Sequence, residues 1–151
     1  MKPFYILIGA FVVSSLVLKL TTKQFDYPLA GRIAMAFMLV FTAIGHFAFS
    51  NGMTAMVPSI VPFKMQVVIA TGILEVLFAI GLLLPKYSHA TGWVLIAFFV
   101  LILPANIKAS LENINYQTGN MDGPGLSYLW IRIPLQLFFI VWVYFSTIRT
   151  N

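Results

Sequence analysis

The sequence predicts an all-α integral membrane protein with five spanning helices, and three observations carry that reading. Of 151 residues, 60% are hydrophobic and only 9% charged, whereas a water-soluble domain carries roughly a quarter charged residues to solvate its surface. The apolar residues gather into five runs, at 3–20, 30–50, 65–84, 90–111 and 127–148, each near the ~20 residues a helix needs to cross a bilayer. Stretches such as Val94-Leu95-Ile96-Ala97-Phe98-Phe99-Val100-Leu101 are apolar on every side, without the period-two alternation of a membrane β-strand. With a mean hydropathy of +0.94, the chain is neither a soluble enzyme nor disordered, since disorder needs low hydrophobicity and high charge.

The first run follows Lys2 and has the outline of a signal peptide, but no small-x-small cleavage site precedes Lys19, so a retained helix is expected. The links at 21–29, 51–64 and 85–89 are short and rich in Pro, Gly, Lys and Asn. The longest polar stretch, 113–125, is a turn-rich loop around Met121-Asp122-Gly123-Pro124. No soluble domain fits between the helices.

The net charge of +5 comes from basic residues scattered singly, a pattern of topology signals and headgroup anchors rather than of a nucleic-acid surface. Lys2, Lys64, Lys108 and Arg132 belong to the side of the N-terminus; Lys19, Lys23, Arg32, Lys86 and Arg149 belong to the other. That asymmetry favours an outer N-terminus and an inner C-terminus. The absence of cysteine excludes disulfides, thiol catalysis and iron–sulfur ligation within this chain. No phosphate loop, nucleotide fingerprint or haem attachment is present, and one His with one Glu makes a poor metal site.

Polar residues inside hydrocarbon are expensive and point to the bundle interior. On the second run, Arg32, Ala36, Ala43, His46 and Ser50 fall within roughly 80° of arc. Arg32 enters from the C-terminal side and is expected to anchor there. The third run puts Thr71, Gly72, Glu75 and Ala79 on one face, and the fifth puts Tyr128, Arg132 and Gln136 at successive i, i+4 positions. In the fourth, Pro104 removes a backbone donor two residues before Asn106. By depth, His46, Glu75, Asn106, Arg132 and Gln136 converge on the N-terminal half of the membrane. They form a candidate ligand pocket open to that side, with Glu75 paired to Arg132; the competing reading is a structural polar network. Gly45, Gly72, Gly81 and Gly92 allow close helix approach, and Trp93, Trp130 and Trp142 mark interfaces and lipid contacts.

Arg32-Ile33-Ala34-Met35-Ala36-Phe37, Gly45-His46-Phe47, Thr71-Gly72-Ile73-Leu74-Glu75, Ala79-Ile80-Gly81-Leu82-Leu83-Leu84-Pro85, Pro104-Ala105-Asn106-Ile107 and Arg132-Ile133-Pro134-Leu135-Gln136 occur in that order. Together they resemble the DoxX family of small bacterial membrane proteins, over roughly residues 32–144. The resemblance implies a four-transmembrane-helix bundle core at 30–151 plus an additional N-terminal transmembrane helix and linker at 1–29, in a bacterial inner membrane. It also implies association with quinone-linked oxidoreduction or with membrane complexes that manage thiol stress, although a fold does not fix a function. The leading expectation is therefore an oxidoreductase component whose pocket takes a quinone or a lipid, working with another membrane or redox protein. The alternative is a non-enzymatic assembly or scaffold protein. A small-solute transporter is a third reading, opposed by the lack of inverted repeats.

Overall fold

In the computed structural model, which describes residues 2–150, each of the five apolar runs is helical, and no strand occurs among those residues. The elements are α1 (Lys2–Thr22), α2 (Tyr27–Ala48), α3 (Ser50–Met56), α4 (Lys64–Leu83), α5 (Pro85–Leu101), α6 (Leu103–Leu111) and α7 (Leu126–Val143), the last continued by a π-helical turn at Tyr144–Ile148. Five segments are long and apolar enough to cross a bilayer: α1, α2, α4, α5 with α6, and α7 with its π-helical turn. The protein is thus an all-α integral membrane protein.

Local chemistry sets the boundaries. Asp26 caps α2, its Oδ1 accepting the Leu29 N–H at 2.9 Å, and Pro28 follows in the first turn, where a missing N–H costs nothing. Pro85 starts α5 in the same way, so this helix begins five residues before the apolar run and absorbs the expected link at 85–89. Pro104 supplies the break near Ile102 that divides the fourth span into α5 and α6.

The link at 51–64 is not simply a loop, because α3 folds within it. α2 ends early, and Gly72 lies against His46 eight residues into α4, about 12 Å along that helix. α3 fills the step this leaves and packs on the ends of α2, α4 and α6. Lys108 fixes it there, donating from Nζ to the Ala55 and Val57 carbonyls at 2.9 and 3.1 Å. Gly52 lies directly beneath the Tyr116 carbonyl of the 113–125 loop, a contact any side chain would block. α3 and the loop therefore cover the end of the bundle at which the sequence placed an open pocket.

α4 packs on α2 and α5, and α7 packs on α5 and α2, which leaves α4 and α7 at opposite corners of a four-cornered bundle. Leu7, Met35, Met38, Leu39, Leu82, Leu95 and Val143, drawn from five helices, are essentially inaccessible in one shared core. α1 lies along α2, and its rings reach α7: Phe4 meets Phe138 at 5.6 Å and Phe11 meets Trp142 at 5.0 Å between centroids, both edge-on.

Candidate functional site

His46 comes from the last turn of α2, and α4 offers it Val68, Thr71, Gly72 and Glu75, spaced so that all four share one helix face. The absence of a side chain at Gly72 brings the backbones together: a Cβ there would stand 2.8 Å from His46 Cβ. The imidazole then lies over α4. Its Nδ1 is 3.2 Å from the Val68 carbonyl and 3.1 Å from Thr71 Oγ1. A carbonyl only accepts, and the Thr71 hydroxyl proton is already directed to the Val68 carbonyl at 2.8 Å. The tautomer with a proton on Nδ1 therefore suits these partners, since it can donate to the Val68 carbonyl.

With Nδ1 so occupied, Nε2 faces Glu75 Oε1 at 3.6 Å, within ion-pair reach but longer than a hydrogen bond. Two net-neutral arrangements exist for this pair: an imidazolium beside a carboxylate, or a neutral imidazole beside a carboxylic acid. The two differ by the position of one proton. The Glu75 side chain is 6% exposed and that of His46 19%, so the histidine forms the open edge of the pair. Glu75 Oε2 is buried without a hydrogen-bond partner among the described residues. An unpaired polar atom in such surroundings is costly unless something else satisfies it.

Arg132 does not pair with Glu75 as the depth argument expected. Its Nη1 donates to Tyr128 Oη one turn earlier at 3.0 Å, and the guanidinium stands over the same ring at 5.7 Å. The physical reason is the bundle layout: depth along a helix axis is legible from sequence, but α4 and α7 are diagonal, so equal depth does not bring their side chains together. Arg132 Nε is buried and unpartnered. Gln136, on the same face of α7, donates from Nε2 to the Phe99 carbonyl at 2.8 Å, next to the carbonyl that Pro104 deprives of its helical donor. Its amide ties α7 to the α5–α6 break. Asn106 is buried at 6% exposure in α6, and its side chain has no hydrogen-bond partner among the described residues. The five candidate residues thus divide into a closed His46–Glu75 pair with Thr71 beside it, a structural Gln136, and Asn106 and Arg132 with unused donors. No group of three or more metal-ligating side chains occurs among the described residues.

The opposite end of the bundle holds a second polar cluster that the sequence pattern did not reveal. Arg32 turns inward, donating from Nη1 to Ser88 Oγ at 3.3 Å. Trp142 donates from Nε1 to the Gly31 carbonyl at 3.1 Å. The π-helical turn buries Ser146, Thr147 and Ile148 consecutively, which an α-helical period would not predict. Apolar periodicity gave no warning of Ser146 or Thr147, which lie in a run that reads simply as lipid-compatible helix, or of Ser88, which lies in the link read at 85–89.

The fold and this half-satisfied pair define a polytopic α-helical membrane protein with an ionisable centre inside its bundle. Residues 35–147 match the family model described as Domain of unknown function (DUF8561), and the chain belongs to that family. The match begins within α2, leaving α1 outside it. No curated protein and no solved structure matches the chain.

Proposed function

We propose that this protein is a DoxX-like membrane oxidoreductase component, in which His46 and Glu75 exchange a proton with the head group of a quinone or a lipid ligand. The observation that carries the reading is Glu75: a carboxyl group deep in an apolar bundle, with Oε1 facing an imidazole at 3.6 Å and Oε2 unpartnered. Intramembrane carboxylates of this kind are commonly functional. A quinone oxygen arriving at the His46 edge would find a proton donor and a proton acceptor side by side, and the pair would pass from net neutral to −1 on giving a proton to the ligand. Having no cysteine, the chain would receive electrons from a partner redox protein. The ordered DoxX-like segments and the excess of lysine and arginine on the C-terminal side favour a bacterial inner membrane with the N-terminus outside.

The test is binding of a short-chain benzoquinone analogue to the purified full-length protein in nanodiscs. Wild type should bind, and Glu75→Gln should bind at least about tenfold more weakly, as expected for losing one charge-assisted hydrogen bond. Equal binding by both proteins, or binding by neither, would overturn the proposal. A scaffold role is the second reading, favoured by the direct His46–Glu75 approach and by the use of Gln136 as a structural tie. It predicts that Glu75→Gln lowers stability, that neither protein binds the analogue, and that another membrane protein co-purifies in defined stoichiometry.

A further inference from the structure

The His46 edge of the pair is bordered by Phe47 and by α3. Phe47 lies across the α2–α4 seam, its Cζ 3.3 Å from where a Cβ of Gly72 would stand, with part of its ring open to lipid. α3 stands at the N-terminal side of the membrane, joined to α2 through Phe49, the non-helical residue that ends one helix and precedes the other. Met53 of α3 reaches back to α2, its Cε 3.7 Å from where a Cβ of Gly45 would stand, beside His46. With the seam covered by Phe47, α3 occupies the approach to the imidazole from the aqueous end.

α3 has little to hold it by itself. Seven residues are too few for an independently stable helix, and no side chain caps its N-terminus. Thr54 directs its hydroxyl inward, to the Ser50 carbonyl at 2.7 Å, with Met65 Sδ 3.8 Å away. The strong polar tie to the bundle is Lys108, whose Nζ donates to the Ala55 and Val57 carbonyls at 2.9 and 3.1 Å. The same ammonium is 3.7 Å from Glu112 Oε2, a half-exposed carboxylate one turn further along the chain. Lys108 can therefore release α3 and keep its counter-ion, so that letting go strands no charge. At the far end of the segment, Phe63 enters α4 at φ 52° and ψ 47° with its side chain 75% exposed. This left-handed conformation is strained for a bulky residue, and a ring so exposed gains little packing to offset it. The Lys108 contact thus holds a segment whose other end carries backbone strain.

We propose that α3, with the 57–63 segment, is a lid over the His46–Glu75 pair, latched shut by Lys108 and opened when the Ala55 and Val57 carbonyls are released. Phe49 and Phe63 are its hinges, and Phe63 relaxes to an extended conformation as the lid lifts. Glu112 takes up the freed ammonium. The proposal rests on the reading that the pair takes a ligand or a proton from outside the bundle, and it gives that exchange an entrance controlled at Lys108.

The experiment is modification of the two histidines by diethyl pyrocarbonate, followed by peptide mass spectrometry, on the full-length protein in nanodiscs without quinone. His89, exposed at the start of α5 and so at the opposite end of the bundle, is the internal reference. In wild type, His46 should react more slowly than His89. Lys108→Met, which keeps the length of the side chain and removes the donor, should raise the His46 rate at least about tenfold and leave the His89 rate unchanged. Phe63→Gly, which removes the strain from the closed lid, should lower the His46 rate severalfold and serves as the probe if the methionine variant does not fold. An unchanged His46 rate in whichever variants fold would overturn the lid, as would a faster rate in Phe63→Gly or a wild-type His46 that reacts as fast as His89. Because no quinone is present, failure of the quinone-binding assay overturns the proposed ligand, whereas failure here overturns the lid.

Discussion

Replacing Gly72 with alanine perturbs the α2–α4 seam with a single methyl group. The new Cβ would stand 2.8 Å from His46 Cβ and 3.3 Å from Phe47 Cζ, whereas carbon atoms settle near 3.5–4.0 Å. Cβ is the root of the His46 side chain, so no rotamer change relieves the clash and the helices must part by about 1 Å. Nδ1, now 3.2 Å from the Val68 carbonyl and 3.1 Å from Thr71 Oγ1, would move to about 4 Å, beyond hydrogen-bond reach. Overpacking of this kind costs about 1–3 kcal/mol and the lost hydrogen bond about 1 kcal/mol more. Reversible unfolding in mixed detergent–lipid micelles should therefore show a loss of about 2–4 kcal/mol, and the imidazole nitrogen resonances of His46 should shift. An alanine variant within ~0.5 kcal/mol of the parent, with those resonances unchanged, would refute the claim that Gly72 sets the seam.

Three further expectations follow from the same geometry. In double-mutant cycles on unfolding free energy, His46→Ala with Glu75→Ala should show a coupling of at least about 1 kcal/mol, while Arg132→Ala with Glu75→Ala should be additive within ~0.5 kcal/mol; the reverse result would restore the pairing inferred from depth. Gln136→Leu strands the Phe99 carbonyl, now satisfied at 2.8 Å, and should cost about 1–3 kcal/mol by the same unfolding assay; a neutral variant would show that the tie between α7 and the helix break is dispensable. Gly52→Ala places a methyl group on the Tyr116 carbonyl and should expose the 113–125 loop to limited proteolysis while helical circular dichroism stays at the parental level. Unchanged cleavage would mean that the loop is not held by α3.

Much of this was legible in the residues themselves. The five spans follow from run length and hydropathy, because a bilayer requires every backbone group to be satisfied within its own helix. The face shared by Thr71, Gly72 and Glu75 is legible from helical period, and the break near Asn106 from Pro104. Partner choice was not legible. Glu75 could have met any cation at its depth, and it meets His46 because Gly72 draws α2 onto α4. α3 was hidden because its seven residues, SNGMTAM, have neither the length nor the periodicity of a helix stable by itself. Its support comes from the step between α2 and α4 and from Lys108, fifty-odd positions away in the chain. Arg32 was read as an anchor because snorkelling is the usual fate of an arginine near a helix end. Its inward turn depends on Ser88, which the α4–α5 junction brings alongside.

The sequence by itself determined the solvent of this protein, the number of its spans and the few polar groups that hydrocarbon would reject. Those properties follow from composition and period, which are local along the chain. Only the tertiary structure decided which rejected groups meet: His46 with Glu75, Gln136 with a backbone carbonyl, Arg132 with its own neighbour Tyr128, and Arg32 with Ser88. Apolar runs specify that helices form and cross the membrane. The lateral order of helices is set by close approach at small residues such as Gly72 and by hydrogen bonds between distant segments, and that order converts shared depth into contact.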